Sequence, residues 1–453
     1  MPTPFSRPAR PDLPPSLRHS APNLLSTFPR PLRLFFLSVI PTEALTVLQR
    51  AAEEPRLNFR STSIAVTAAE STFRSAFFRV QRSGVLFNWS FRMPTNAHPS
   101  PRIRSENFTA RLGIPLPILM APMSGACPPS LAAAIANAGG LGACGALLMQ
   151  PDEIRSWASE FRKSSRGEFQ INLWIPDPPP ERNTTLEQRQ REFLAQWGPP
   201  VPPESGNPSL PDFESQCQTL LEIAPKVVSS IMGLYPATFV SQLKARGILW
   251  FATATTVAEA KAAADAGADA IIAQGMEAGG HRGAFRADQA EREQVGLMAL
   301  VPQVADAVSI PVIATGGIAD ARAIAAALIL GASAVQIGTA FLRSPEAEMP
   351  PAYADRLART EAHETMITRS FSGRAGRAVA NAYARAAAVP DSPPPAPYPV
   401  QRGLTRAMRE AAAQAGDSDR MQMWAGQSAK FAKDQPAGTL CQQLWEDASR
   451  LLP

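Results

Sequence analysis

The stretch from Ile310 to Leu342, IPVIATGGIADARAIAAALILGASAVQIGTAFL, decides the fold. It opens with a short continuous apolar run and breaks at Gly316-Gly317. It then continues as an Ala-rich window that stops at Gly331, and closes with a second apolar run. Apolar runs without alternation mark strands covered on both faces, which is the situation of a parallel sheet. The window between them has helical length, with Asp320 before it and glycine after it. The stretch therefore reads as strand, helix, strand.

The same unit recurs along the chain. LPILMAPM, LGACGALLM, FQINLWIP, KVVSSIMG, ILWFATAT and ADAIIAQG are the further strand-like runs, mostly separated by helical windows. Eight strand–helix units in about 240 residues have the size of a closed (β/α)8 TIM barrel. A doubly wound open sheet is the runner-up. It calls for a glycine-rich dinucleotide turn after its first strand, and APMSGACPP is not one. The expected organisation is an α/β barrel over 101–345, with a Pro-rich excursion at 177–211 and a helical C-terminal region at 346–453 packed on the barrel.

Residues 1–100 differ in texture, being rich in Arg, Ser and Pro and poor in acids. They read as a largely disordered tail, or as sequence upstream of a true start near Met93, in preference to a targeting segment. The net charge of +5 owes much to this segment and says little about the folded part. No Lys/Arg stripe with interleaved aromatics occurs in the core region, so nucleic acid is not an expected partner. No apolar run reaches the eighteen residues of a membrane span. Cys127, Cys144, Cys217 and Cys441 are scattered without CxxC or zinc spacing, which points to buried thiols in a cytoplasmic protein and to no metal. Oligomeric state is left open.

In a barrel of this kind, chemistry collects at the carboxyl ends of the strands. Gly316-Gly317 and Gly338-Thr339 fall there on adjacent strands, where bare backbone amides and a helix start form a phosphate cup. The alternative for those glycines is close strand–helix packing. Asn172 and Gln274 are amides inside apolar strands, and such groups are costly unless hydrogen-bonded. With a phosphate cup opposite, they suit FMN better than a sugar phosphate. Met123, after Pro122, is placed to pack beside a flavin ring or to serve as core. His281 is one of four histidines and follows Gly279-Gly280 just beyond the sixth strand. It reads as the catalytic residue, against the plainer role of capping a carbonyl.

APMSGA, INLW, QGMEAGGHRGAF, IATGGIAD and QIGTAFL, in this order, resemble the nitronate monooxygenase (2-nitropropane dioxygenase) family, as does ITRSFSGRAGRAV further on. The resemblance implies FMN in the barrel, with His281 at the flavin's reactive edge. Ala121, Pro122, Met123, Asn172 and Gln274 would touch the ring system, and Gly279 and Gly280 would line the facing loop. Gly316, Gly317, Gln336, Gly338 and Thr339 would hold the phosphate end. It also implies oxidation of an alkyl nitronate by O2 to a carbonyl compound and nitrite. In that reaction protonated His281 would attract the nitronate, and neutral His281 would take the α-proton of a nitroalkane. An NAD(P)H-dependent reductase of enoyl thioesters or quinones is the alternative, and a non-catalytic phosphate-binding barrel is a third reading.

Overall fold

The computed structural model describes residues 63–67, 75–82, 85–92 and 99–453, in two separate units. In the first, Ser63–Thr67, Ser75–Arg82 and Val85–Arg92 form an antiparallel sheet in chain order, with Arg82 opposite Val85. The rest of the expected tail, including the proposed start at Met93, lies outside the described residues.

The second unit is the barrel. Its strands are β1 (Ile118–Met120), β2 (Gly142–Gly145), β3 (Phe169–Trp174), β4 (Val227–Ile231), β5 (Leu249–Ala254), β6 (Ala270–Gln274), β7 (Val312–Thr315) and β8 (Ala334–Ile337). They pair in parallel in sequence order from β2 to β8, and β8 pairs with β1. A parallel bridge between Leu119 and Leu141 joins β1 to β2 and closes the ring. All eight runs read from the sequence are strands of this barrel. Its seven sequential helices are α1 (Pro129–Asn137), α2 (Pro151–Ser164), α3 (Phe213–Ile223), α4 (Ala237–Ala245), α5 (Val257–Asp265), α6 (Leu297–Ala307) and α7 (Ala321–Ile329).

The eighth helix does not follow β8. It is α8 (Ala437–Leu451), the last element of the chain, packed between α7 and α1. Its apolar face, with Leu440, Cys441 and Leu444, joins the same core as the other barrel helices. Residues 338–436 between β8 and α8 thus form an insertion, referred to below as the cap. The cap holds the expected helices, such as Pro351–Arg359 and Arg406–Ala415. It also holds Thr365–Thr368 and Gly376–Val379, which make a small antiparallel sheet with Gly280–His281. The helical reading missed this sheet because its two cap strands are four residues long and one of them carries Arg377.

The Pro-rich excursion also differs from a bare loop. It contains the helix Thr184–Leu194, capped by Asn183, whose side chain accepts from the Leu186 N–H at 2.9 Å. Leu194 is fully buried in the cap core with Phe371, Tyr383, Leu404 and Met408.

Strand alternation sorts the barrel interior. Leu119, Val227, Phe251, Ile272, Ile313 and Ala334 form an inner apolar layer, closed from below by Phe108 and Leu112 of the helix Pro101–Leu112. On five of these six strands the neighbour two residues further on, toward the carboxyl end, is polar and buried: Ser229, Thr253, Gln274, Thr315 and Gln336; on β1 it is Ala121. A side-chain period of two puts both sets on one face of each strand. The barrel is therefore apolar at its base and polar at its mouth, and the site lies at the mouth.

Candidate active site

The loop after β6 carries His281 and is held from several sides. Both ends of the Gln274 amide are committed to it: Nε2 donates to the His281 carbonyl at 3.1 Å, and Oε1 accepts from the Gly283 N–H at 2.8 Å. Gln274 thus fixes the loop instead of presenting a free amide edge. Glu259, on α5, caps its own helix by accepting from the Thr255 and Thr256 N–H groups at 2.7 and 3.2 Å. Its other oxygen accepts from the Phe285 N–H at 2.6 Å. Arg282 lies beneath and donates to the Gly275 carbonyl at 2.7 Å. Arg377, from the cap, donates to the Met276 carbonyl at 2.9 Å.

The two glycines before His281 have separate reasons. Gly280 has φ +78°, a conformation that costs a residue with a Cβ about 1 kcal/mol or more. A Cβ on Gly279 would lie 2.5 Å from the Gly426 nitrogen, so the backbone of the 424–428 segment fits only against a bare backbone.

The His281 ring sits between two indoles. Trp174, at the end of β3, meets it edge-on at 4.7 Å between centroids, and Trp424 of the cap lies at 4.6 Å. His281 Nε2 is 2.8 Å from the Ser372 hydroxyl, which donates to the Arg374 carbonyl at 3.1 Å. A hydroxyl has one proton to give, so both bonds form at once only when Nε2 carries the imidazole proton. Nδ1 is then left with its lone pair. Burial pushes the His281 pKa down to about 3, helped by the positive charges of Arg374 and Arg402. Of the two charge states the sequence left open, this surrounding favours the neutral one. Arg374 is itself buried, paired with Asp177 of the excursion, and donates to the Ala284 carbonyl at 2.6 Å.

On the neighbouring strand, Gly316 and Gly317 take φ +121° and +68° at the turn into α7, where a Cβ on Gly316 would lie 3.1 Å from the Ala278 nitrogen. Among the described residues Gly316 makes no hydrogen bond. Ser428 donates to the Gly317 carbonyl at 2.5 Å, and the Gly426 N–H donates to Thr339 Oγ1 at 3.1 Å. Gly338 faces the first loop: a Cβ there would lie 3.2 Å from Ala121 Cβ and from Met123 Sδ. Asp320 accepts from the Ala323 N–H at 2.9 Å and so uses part of the positive end of α7. Asn172 donates to Ser229 Oγ at 3.1 Å. Gln170, two residues earlier on β3, donates to the Met120 carbonyl at 2.9 Å and to Gln336 Oε1 at 3.1 Å, while its own Oε1 is buried without a partner.

The structure thus brings His281, Gly279 and Gly280 together with Gly316, Gly317, Gly338 and Thr339 at the adjacent ends of β6, β7 and β8, with Gln336 on β8 and Asn172 on β3. Sequence reading missed Trp174, Gln170, Ser372, Arg374, Trp424 and Ser428. Gln170 alone carried a usable signal, because it shares the inward face of β3 with Asn172.

The sequence pattern of the nitronate monooxygenase family matches residues 105–447. The chain belongs to the nitronate monooxygenase family. It is an oxidoreductase of that family, and its match spans the barrel, the cap and most of α8. It is 39% identical over 348 residues to a nitronate monooxygenase of Pseudomonas aeruginosa, covering 76% of this chain and 99% of that one. It is likewise 39% identical over 339 residues to a nitronate monooxygenase of Paraburkholderia phytofirmans, covering 74% and 92%. The fold is similar to the nitroalkane oxidase of Streptomyces ansochromogenes, with a TM-score of 0.69, 35% identity, and coverage of 76% and 98%. FabK of Thermotoga maritima gives a TM-score of 0.60 at 29% identity, covering 76% and 96%. No helix among the described residues is long and apolar enough to cross a membrane.

Proposed function

We propose that the barrel mouth holds FMN and that the protein oxidises alkyl nitronates with O2, giving a carbonyl compound and nitrite. The observation that carries this reading is His281: a neutral imidazole, fixed in one tautomer, with a free nitrogen at the mouth of a polar-lined barrel. Family membership and the likeness to a nitroalkane oxidase support the reaction class.

The residues at the mouth fit the cofactor. Gly316 offers an unengaged N–H in a cradle, and Gln170 Oε1 is a buried acceptor that lacks a donor. Gly316, Gly317, Gly338, Thr339 and Gln336 would hold the phosphate end, and Ala121, Pro122, Met123 and Asn172 the ring system, with Gln170 beside them. Gln274, Gly279 and Gly280 shape the facing loop. When bound, FMN supplies the electron acceptance that lets O2 complete the oxidation.

The chain's own part is binding, orientation and proton handling. With a neutral nitroalkane, His281 Nδ1 takes the α-proton and a nitronate results. Ser372 keeps the ring from turning, because rotation would break the Nε2 bond. Trp174 and Trp424 pack against the ring and limit its movement. With a preformed nitronate no proton need move, and His281 acts by position. In the net change two nitronates and one O2 give two carbonyl compounds and two nitrite ions: each C–N bond breaks, each carbon gains one of the two oxygen atoms of O2, and nitrite leaves.

A cytoplasmic protein acting on small molecules completes this reading; the four cysteines are all unpaired and buried. The test is an absorption spectrum of the purified protein before and after propionate 3-nitronate is added in air, with nitrite measured alongside. A flavin spectrum with nitrite release is the expected result, and a colourless protein that takes up no FMN overturns it. The reductase alternative is separated by anaerobic mixing with NADPH, which a reductase answers with rapid flavin bleaching.

A further inference from the structure

One cation near His281 is left unused by the site as described. Arg402 lies on the short cap helix Val400–Leu404. The arginines around it are all engaged. Arg374 pairs with Asp177, and Arg406 bonds Glu410 at 2.8 Å. Arg409 donates to the Gln422 side chain at 3.1 Å and to the Arg402 carbonyl at 3.0 Å. The Arg402 guanidinium donates to none of the described residues, although the residue is half-buried. Burial lowers its pKa, and its charge is felt at both His281 and Tyr398.

Tyr398 is the second loose end. Its hydroxyl is buried with no partner, and its ring packs on Trp174 at 5.2 Å, the same indole that meets His281. A half-buried cation without a counter-ion and a buried O–H without an acceptor each leave a polar group short of partners. Both shortfalls lie at one corner, beside the base, and an anion placed there relieves them together. A guanidinium offers parallel N–H donors that match a planar group with two oxygens.

We propose that Arg402 and the Tyr398 hydroxyl form the anion subsite of the substrate pocket and take the two oxygens of the nitronate group. This rests on the nitronate reading above. It resolves a tension in that reading, since a neutral His281 has no charge to offer an anionic substrate. Labour is then divided: Arg402 supplies the charge and His281 the lone pair. The α-carbon is bonded to the nitrogen that bears those oxygens, so seating the oxygens on Arg402 brings the reacting carbon toward His281.

The test uses the full-length protein with its cofactor and the variants Arg402→Gln, Arg402→Lys and Tyr398→Phe, checked for folding by their melting temperatures. With propionate 3-nitronate, Arg402→Gln raises KM roughly ten- to a hundredfold, the range for a lost charged hydrogen bond, while kcat changes far less. Arg402→Lys recovers part of the loss, and Tyr398→Phe shows a smaller rise. With a neutral nitroalkane, Arg402→Gln lowers kcat instead, because charge appears only as the proton leaves. Calorimetric titration with sodium nitrate, a planar inert anion, gives a readout independent of turnover: the parent binds it and Arg402→Gln does so at least tenfold more weakly. Unchanged KM and unchanged nitrate affinity in Arg402→Gln, with nitrite still released, overturns the subsite and leaves the nitronate reading standing. Nitrate binding that depends on Arg402, without nitrite release by the parent, supports the subsite and overturns the substrate.

Discussion

At the scale of single residues, His281 carries the sharpest expectations. His281→Asn should lose far more activity on a neutral nitroalkane than on its nitronate, about a hundredfold against a few-fold, since only the first needs a base. Parallel assays at matched flavin content check this, and equal losses on the two substrates would remove the base role. The depressed pKa also bears on stability. Unfolded, His titrates near 6.5; in the folded site it is pushed down to about 3. Between those values the unfolded state binds the extra proton, so stability falls as pH drops below about 6.5 and the slope ends only near 3. Urea unfolding at pH 7 and pH 4.5 should show a smaller pH effect in His281→Asn than in the parent. The glycines differ as well. Gly280→Ala should cost about 1 kcal/mol for its backbone angle, and Gly279→Ala more, because its Cβ would collide with backbone at 426. The rarity of histidine and its place after a strand made position 281 legible in the sequence. Its protonation state was not, because it is set first by burial and then by Arg374 and Arg402, which lie in the cap about a hundred residues onward.

Among the elements, the loop after β6 depends on Glu259. One carboxylate serves the start of α5 and the far end of the loop, tying Phe285 to Thr255 and Thr256. Glu259→Gln turns one acceptor into a donor that faces N–H groups, a loss of about 2 kcal/mol. Denaturant midpoints measure that loss. Hydrogen exchange over 279–285 should quicken in the same variant, and an unchanged loop would show that Gln274 and Arg282 hold it alone. The strands were legible because both their faces are covered, so each reads as an unbroken apolar run. Gln274 shows the limit of such reading. A buried amide in a strand announces that it has partners, but not whether they are ligand or backbone. The cap strand Gly376–Val379 was illegible for a different reason: its one arginine, Arg377, is buried, bonded to the Met276 carbonyl and the Thr365 hydroxyl, and looks from sequence like a surface residue.

Taken as a whole, the molecule is a barrel whose eighth helix has been deferred. The sequence pointed to eight repeats, since β8 is plain in ASAVQIGTAFL, but the helix expected after it is replaced by the cap. Nothing local marks GTLCQQLWEDASRLL as the missing member, because its place beside α7 and α1 is fixed only by closure of the ring. Leu444, 5% exposed on α8, should therefore behave as barrel core: Leu444→Ala is expected to cost about 2–4 kcal/mol. Unfolding followed by barrel and cap probes together should show one transition, and a cap that melts alone would contradict a shared core. The deferral also orders events during synthesis. A nascent chain that has extruded every strand still has an open seam between α7 and α1, and the cap must emerge before the segment that seals it. The pocket is thus roofed before its wall is complete, and α8 acts as the bolt on a door already hung.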